Sequence, residues 1–204
     1  FTKAKGCYGS RVDDGGVLRF AGIYKNLRMK NGFWTHRQRV YIGPFYDGYP
    51  EGSGLLIDFR NKSISEGYYV NQKMTRVTDR REMSGLEFCP DSKFSVKNQC
   101  FGELAEDETY YIGEFKADVP HGKGFYFSRD GYYEGNFLSG SFSGSGTYHY
   151  SSGAKYEGQF EDDMLSGKGE MLFYNGTRYL GSFLNDQPHG QGTLIYNDGS
   201  VWSG

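Results

Sequence analysis

Residues able to do chemistry are few, and their spacing fails each time. Gly140-Ser141-Phe142-Ser143-Gly144 has the outline of the turn that presents a nucleophilic serine, but Phe142 stands where that serine must be. Four Gly-x-Gly pairs (Gly122/Gly124, Gly144/Gly146, Gly167/Gly169, Gly190/Gly192) resemble the start of a phosphate-cradling loop. Phe127, His149, Leu172 and Ile195 take the third-glycine position, however, and no Gly-Lys-Ser/Thr follows. There is no His-Glu-x-x-His, EF-hand loop or Cys-x-x-Cys. His121 and His189 precede a Gly-x-Gly in equivalent positions and read as turn residues of a repeat. The acidic runs Glu161-Asp162-Asp163 and Glu106-Asp107-Glu108 read as solvated loops. Cys7, Cys89 and Cys100 cannot all pair, which fits a reducing compartment, and Cys89 and Cys100 read as free thiols. The chain is expected to be no enzyme, with no catalytic residue, cofactor or metal site.

The elements that would carry any site follow from composition and periodicity. In 204 residues the apolar share is 37%, and aromatics alone are 18%, so Tyr, Phe and Trp replace the aliphatic core of a helical bundle or α/β enzyme. Glycine, at 31 residues, is about twice its usual share, while prolines number five. No apolar run approaches a membrane span, no signal peptide is visible at Phe1, and the start reads as a cut inside a longer chain. Without a secretory signal the sequons at Asn61 and Asn175 read as chance.

Self-similarity organises the rest. Tyr111-x-Gly113-x-Phe115 recurs as Tyr133-x-Gly135-x-Phe137, Tyr156-x-Gly158-x-Phe160 and Tyr179-x-Gly181-x-Phe183, and Trp202-Ser203-Gly204 opens another copy. The glycine steps are 22, 23, 23 and 23 residues. Each copy holds one Gly-x-Gly and then a turn signal: Asp130-Gly131, Ser152-Gly153, Asn175-Gly176 or Asp198-Gly199. In an extended chain Tyr, Gly and Phe at i, i+2 and i+4 share one face, and the glycine leaves a slot that a ring from the adjoining strand can cover. The glycines at the turns supply the positive φ of tight hairpins. Each unit is then a hairpin that buries its aromatic face only by stacking on its neighbours.

These residues resemble the MORN-repeat family (membrane occupation and recognition nexus) closely over 111–204. Upstream, Tyr41-Ile42-Gly43-Pro44-Phe45 with Gly52-Ser53-Gly54 is another good copy, Phe20-Ala21-Gly22-Ile23-Tyr24 a weaker one, and Glu66-Gly67-Tyr68-Tyr69 opens a copy that degrades. The expected organisation is degenerate N-terminal units over 1–69, a divergent or inserted segment over 70–110 with a short helix near Thr78–Met83, and four regular units plus the start of a fifth over 111–204. The expected fold is all-β: an elongated, twisted, single-layer antiparallel sheet of about eight or nine consecutive hairpins, on the order of 80 Å long at ~4.8 Å per strand.

The resemblance implies a cytoplasmic, non-enzymatic organising role in cytoskeletal assemblies, cilia or flagella among them. The leading expectation is a scaffold that takes a partner peptide or helix in an aromatic groove formed by Tyr111, Phe115, Tyr133, Phe137, Tyr156, Phe160, Tyr179 and Phe183. Charge offers an alternative. Residues 1–45 carry nine basic and two acidic side chains, and residues 100–204 six basic and fifteen acidic. Lys25, Arg28, Lys30, Arg37 and Arg39, with Phe33 and Trp34 between them, would suit an anionic lipid surface. Self-association through opposite charge and open sheet edges, or service as the regulatory module of a larger protein, is the third reading. An acidic pI near 6.1 argues against nucleic acid.

Overall fold

The computed structural model describes residues 5–13, 16–25, 28–36, 39–46, 49–58, 60–70, 73–82, 89, 98–106, 109–128 and 130–204, with side chains only beyond residue 38. Among these residues every regular element is a strand, and the strands are antiparallel to their neighbours in two open sheets. The chain divides into two compact units, 1–85 and 86–204.

The first unit holds β1 (Lys5–Asp13), β2 (Gly16–Lys25), β3 (Arg28–His36), β4 (Arg39–Tyr46), β5 (Tyr49–Pro50), β6 (Gly52–Asp58), β7 (Ser63–Val70) and β8 (Lys73–Glu82). The strands pair in chain order, with β5 a short side pair on β4. The short helix expected near Thr78–Met83 does not form. β8 runs as strand through Glu82, with Ser65 opposite Arg80 and Ser63 opposite Glu82; Met83 lies outside the described residues. The backbone groups offered by β7 outweigh whatever local preference that charged stretch has.

The second unit holds β9 (Cys100–Glu106), β10 (Thr109–Lys116), β11 (Val119–Ser128), β12 (Gly131–Leu138), β13 (Ser141–Tyr150), β14 (Lys155–Glu161), β15 (Met164–Leu172), β16 (Arg178–Leu184), β17 (Gln187–Ile195) and β18 (Val201–Ser203). They form one ten-stranded sheet in strict chain order. Its hairpins alternate between two turns. After each Tyr-x-Gly-x-Phe strand comes a two-residue turn: Ala117-Asp118, Ser139-Gly140, Asp162-Asp163 or Asn185-Asp186. All eight residues have positive φ, from 47° to 96°. Two successive positive φ values make the turn whose twist matches that of the strands, and Asp and Asn tolerate it best after glycine. The turns marked in the sequence by Ser-Gly, Asn-Gly and Asp-Gly are the longer ones, closed by Gly153, Gly176 and Gly199 donating to the carbonyls of Tyr150, Phe173 and Tyr196.

Cys89 and Cys100 form a disulfide, with Cα atoms 4.9 Å apart, which overturns the free-thiol reading. The Cys89 N–H donates to the Phe101 carbonyl at 2.8 Å and holds the residue against the start of β9, a placement no repeat spacing announces.

Candidate functional site

Backbone register lines up one glycine from every strand of β9 to β17. Gly102, Gly113, Gly124, Gly135, Gly146, Gly158, Gly169, Gly181 and Gly192 lie side by side across the sheet. Over each pair lies a tyrosine from the same strand as the first glycine, not from the adjoining strand as the spacing suggested. A Cβ at Gly158 would meet the Tyr156 hydroxyl at 2.4 Å, and one at Gly169 would meet the same ring at 2.4–2.6 Å. Tyr111, Tyr133 and Tyr179 repeat the arrangement, as does Tyr41 over Gly43 and Gly54 in the first unit.

Phenylalanines close the ladder. Each tyrosine meets edge-on the Phe of its own unit and, where a unit follows, that of the next: Tyr111 with Phe115 and Phe137 at 5.2 and 4.7 Å, Tyr133 with Phe137 and Phe160 at 5.3 and 4.9 Å, and Tyr156 with Phe160 and Phe183 at 5.1 and 5.0 Å. Tyr179 meets Phe183 at 5.2 Å. Such pairs contribute about 0.5–1.5 kcal/mol each beyond burial. All eight rings expected to line the groove are buried, Tyr133 and Tyr156 completely. They are the core of the unit, and a ligand reaches the sheet only past them. Burial pushes the Tyr111 and Tyr133 hydroxyls well above the usual range, and each donates to a backbone carbonyl three residues on.

Asp163, read as solvated, and Asp186, on which the sequence reading was silent, bind successive repeats together. Asp163 Oδ1 accepts the Phe142 N–H at 2.7 Å, and Asp186 Oδ1 accepts the Leu165 N–H at 2.8 Å. One unit earlier the same place is Gly140, which has no carboxylate, against Pro120, which has no N–H, so the backbone bond from Gly140 N to Pro120 O stands without the side-chain bond. The sequence signal was an Asp at the second position of the two-residue turn, 21 residues beyond its partner.

What the ladder leaves accessible is the rest of the same face. From β11 to β18 alternation puts no charged side chain there. Tyr126, Phe142, Tyr148, Tyr150, Met171 and Leu194 are half-buried against the ladder, while Phe173, Tyr196 and Trp202 are exposed. Burial raises the Tyr126 and Tyr148 hydroxyls and pushes Tyr150 up to about 12, so all three remain protonated donors. Charges sit on the opposite face, in pairs such as Lys155–Glu157 and Arg178–Glu170, and in the turns. On that face His149 stacks on Tyr132 with ring centroids 4.4 Å apart.

Of the basic head, Lys25 lies on β2, and Arg28, Lys30, Phe33 and Trp34 lie on β3, but their side chains are outside the described residues, as is all of Arg37. Arg39 is committed: its Nε donates to Asp58 Oδ2 at 2.8 Å. Burial raises the Asp58 carboxyl, but the Asn61 N–H and Arg39 outweigh it and hold the group below its usual range. Among the described residues no group of three or more His, Cys, Asp or Glu is placed to hold a metal ion, and no helix is long and apolar enough to cross a membrane.

The family model of the MORN repeat matches residues 111–131, 133–155, 156–178 and 179–201, register for register with the tyrosine ladder. No curated protein matches the chain. Among solved structures it is similar to the SAS-4 (dCPAP) TCP domain in complex with a proline-rich motif of Ana2 (dSTIL) of Drosophila melanogaster, at 10% identity and a TM-score of 0.35 over 97% of this chain and 88% of that one. It is also similar to Kluyveromyces lactis Hsv2, at 8% identity and 0.23 over 85% and 58%, and to BamB from Moraxella catarrhalis, at 8% and 0.21 over 99% and 83%. Likenesses this weak carry no argument about fold or partner.

Proposed function

Four consecutive MORN repeats make the chain a MORN-repeat protein, and from that premise we propose that it is a non-catalytic scaffold that holds a partner protein on the uncharged inner face of the 86–204 sheet. The observation that carries this reading is the apolar row left accessible beside a complete core: Tyr148, Met171 and Leu194 half-buried, Phe173 and Tyr196 exposed. Rings fixed by packing lose little entropy when a second surface covers them, and apolar side chains held beside a buried core suit the desolvated centre of an interface. The eight ladder rings support that surface from beneath.

The setting we propose is a cytoplasmic assembly associated with the cytoskeleton, cilia and flagella included, as MORN repeats suggest. In that compartment the Cys89–Cys100 pair would be held reduced. Lipid binding by the basic head and self-association gain no comparable observation.

Capture from native extract tests the reading, with the full chain compared to a Phe173→Ser, Tyr196→Ser variant. A stoichiometric protein held by the first and lost by the second, at equal thermal stability, is the expected result. Equal retention by both removes the inner face from the reading. Imaging the tagged chain in cells checks the setting, and a signal confined to a secretory compartment would overturn it.

A further inference from the structure

In every regular repeat the ladder tyrosine stands 13 residues before the second glycine that it covers: Tyr111 before Gly124, Tyr133 before Gly146, Tyr156 before Gly169 and Tyr179 before Gly192. Cys89 stands 13 residues before Gly102, and 22 before Tyr111, the same step that separates Tyr111 from Tyr133. Cys100-Phe101-Gly102 likewise falls 22 residues before Gly122-Lys123-Gly124, so Cys100 holds the place of the first glycine of a Gly-x-Gly pair. The two cysteines therefore occupy two fixed positions of one more repeat, in which neither consensus residue is kept.

Their packing agrees with those positions. A Cβ at Gly102 would meet Cys89 Sγ at 2.8 Å and Cys89 Cβ at 3.2 Å, as one at Gly124 would meet the Tyr111 side chain at 2.5–2.8 Å. Cys100 lies opposite Phe115 in the register and belongs to the buried core of the ladder, with Cys89 half-buried against it. Phe137, Phe160 and Phe183 each meet the tyrosine of the preceding unit. For Phe115 the residue at that tyrosine's place is Cys89. A tyrosine holds its place by the packing of its ring. Cysteine has one heavy atom beyond Cβ, so here the covalent bond to Cys100 does the holding, alongside the Cys89 N–H bond to the Phe101 carbonyl.

We propose that Cys89 and Cys100 form a redox-modified rung of the ladder, a thiol–disulfide switch that fixes or releases β9, the end strand of the 86–204 sheet. Cys100 is 5% exposed and Cys89 is the more open of the two, so Cys89 is the sulfur that a disulfide oxidant such as oxidised glutathione reaches first. The Cys89 thiolate attacks one glutathione sulfur, breaks that S–S bond and releases the first glutathione. The Cys100 thiolate then attacks Cys89 Sγ, breaks the mixed disulfide and releases the second. The protein gives up two electrons and two thiol protons, and the two glutathione thiols carry them away. Reduced, β9 keeps its pairing with β10, but the cover over Gly102 is no longer tied down, and an end strand so held opens at lower cost. In the cytoplasmic setting proposed above the resting form is the dithiol, and an oxidising shift closes the rung. The switch acts whatever partner the inner face holds.

The test equilibrates the full chain in glutathione buffers from wholly reduced to largely oxidised, alkylates free thiols for mass spectrometry, and follows amide hydrogen exchange in each state. Cys89 and Cys100 should be dithiol in the first buffer and bridged to each other in the last. On bridging, exchange should slow at least about tenfold over β9 and the adjoining β10 and stay unchanged over β14 to β17. Cys89→Ser should match the reduced chain in every buffer, with protection of β14 to β17 showing that it is folded. Cys89→Tyr combined with Cys100→Gly restores a regular rung and should protect β9 in every buffer. A pair still bridged in reduced glutathione is a fixed staple, and a pair still free in the oxidised buffer is inert; either result overturns the switch. Equal exchange at β9 in the two states overturns it too, as does a Cys89→Ser chain as well protected there as the bridged one. A tyrosine–glycine variant that is folded but leaves β9 unprotected would show that the bridge does not stand in for a rung.

Discussion

Each ladder tyrosine does two things with one side chain. Its ring covers two facing glycines, and its hydroxyl donates to the carbonyl three residues on: Tyr111 to Glu114, Tyr133 to Asn136, Tyr156 to Gln159 and Tyr179 to Ser182. Those carbonyls lie where the ladder register shifts, so the hydroxyl serves a group the bulge displaces from regular pairing. Tyr133→Phe keeps the ring and leaves the Asn136 carbonyl without that donor; the expected loss is about 1–3 kcal/mol in urea unfolding, and an unchanged midpoint would mean that the bond contributes nothing. His149 is the second residue with a measurable consequence. Burial first, and then the nearby Lys155 charge, push its pKa from 6.5 down to about 4. The unfolded chain therefore takes up a proton that the folded chain refuses, and stability present above pH 6.5 is lost as pH falls towards 4. His149→Phe keeps a ring against Tyr132 and should flatten that acid limb by on the order of 1 kcal/mol, discounted for partial exposure; thermal midpoints from pH 7 to pH 4 decide it. The ladder's members were legible from their i, i+2, i+4 spacing. The direction in which the rings lie was not, because periodicity fixes a face and leaves the rotamer open. Asp163 read as solvated, and Asp186 went unremarked, for a related reason: the N–H groups they accept from belong to the previous repeat.

At the scale of strands and turns, the glycine row is the device that lets rings lie flat on a single-layer sheet. The two glycines under one ring are not equivalent. The three atoms nearest a Cβ at Gly169 all belong to the Tyr156 side chain, whereas those nearest one at Gly158 include the Gly169 Cα at 2.6 Å and the Lys168 carbonyl at 2.7 Å. A ring can swing aside, but paired backbone cannot without breaking the ladder. Gly158→Ala should therefore cost more than Gly169→Ala, with both in the range of about 1–3 kcal/mol or above for overpacking, and chemical denaturation of the two variants would show the order. Equal losses would mean that the strands part as easily as the ring moves. Repeat period and strand pairing were readable because glycine, aromatic and turn residues recur in register. Two elements escaped. Three of the four two-residue turns, Ala117-Asp118, Asp162-Asp163 and Asn185-Asp186, contain no glycine, so nothing in the sequence marked their positive φ values. The segment around Thr78 has no repeat signal, and β7 supplies from outside it the hydrogen bonds that make it a strand.

Across the whole chain, the same packing rule is used in both units. Tyr41 meets Phe45 at 5.2 Å and Tyr69 at 4.6 Å in the first, as the ladder tyrosines meet their phenylalanines in the second. Tyr69 stands where a regular unit would place the next phenylalanine, which is why the sequence showed a copy opening there and then degrading. That strands follow one another antiparallel was legible; that they divide into an eight-stranded and a ten-stranded sheet was not, because the interval between β8 and β9 has no spacing that states whether pairing continues. Sharing one kind of core, the two units share one vulnerability. Burial raises the hydroxyls of Tyr41, Tyr111 and Tyr133 far above the ordinary value of 10.0 and pushes Tyr69 up to about 12. The folded state then holds protons that the unfolded chain releases, so the stability linked to these groups is complete below pH 10 and is lost as pH rises through the folded values. Several such groups in one ladder make the loss steep, since opening one ring uncovers the next. Alkaline titration should show tyrosinate absorbance from the ladder appearing together with loss of the β-sheet circular dichroism, and Tyr156→Phe should move that transition upward in pH relative to its own stability at neutral pH. Tyrosinate that instead appears in full near pH 10, with the sheet signal intact, would mean that the rings are open to solvent and that the ladder is not the core.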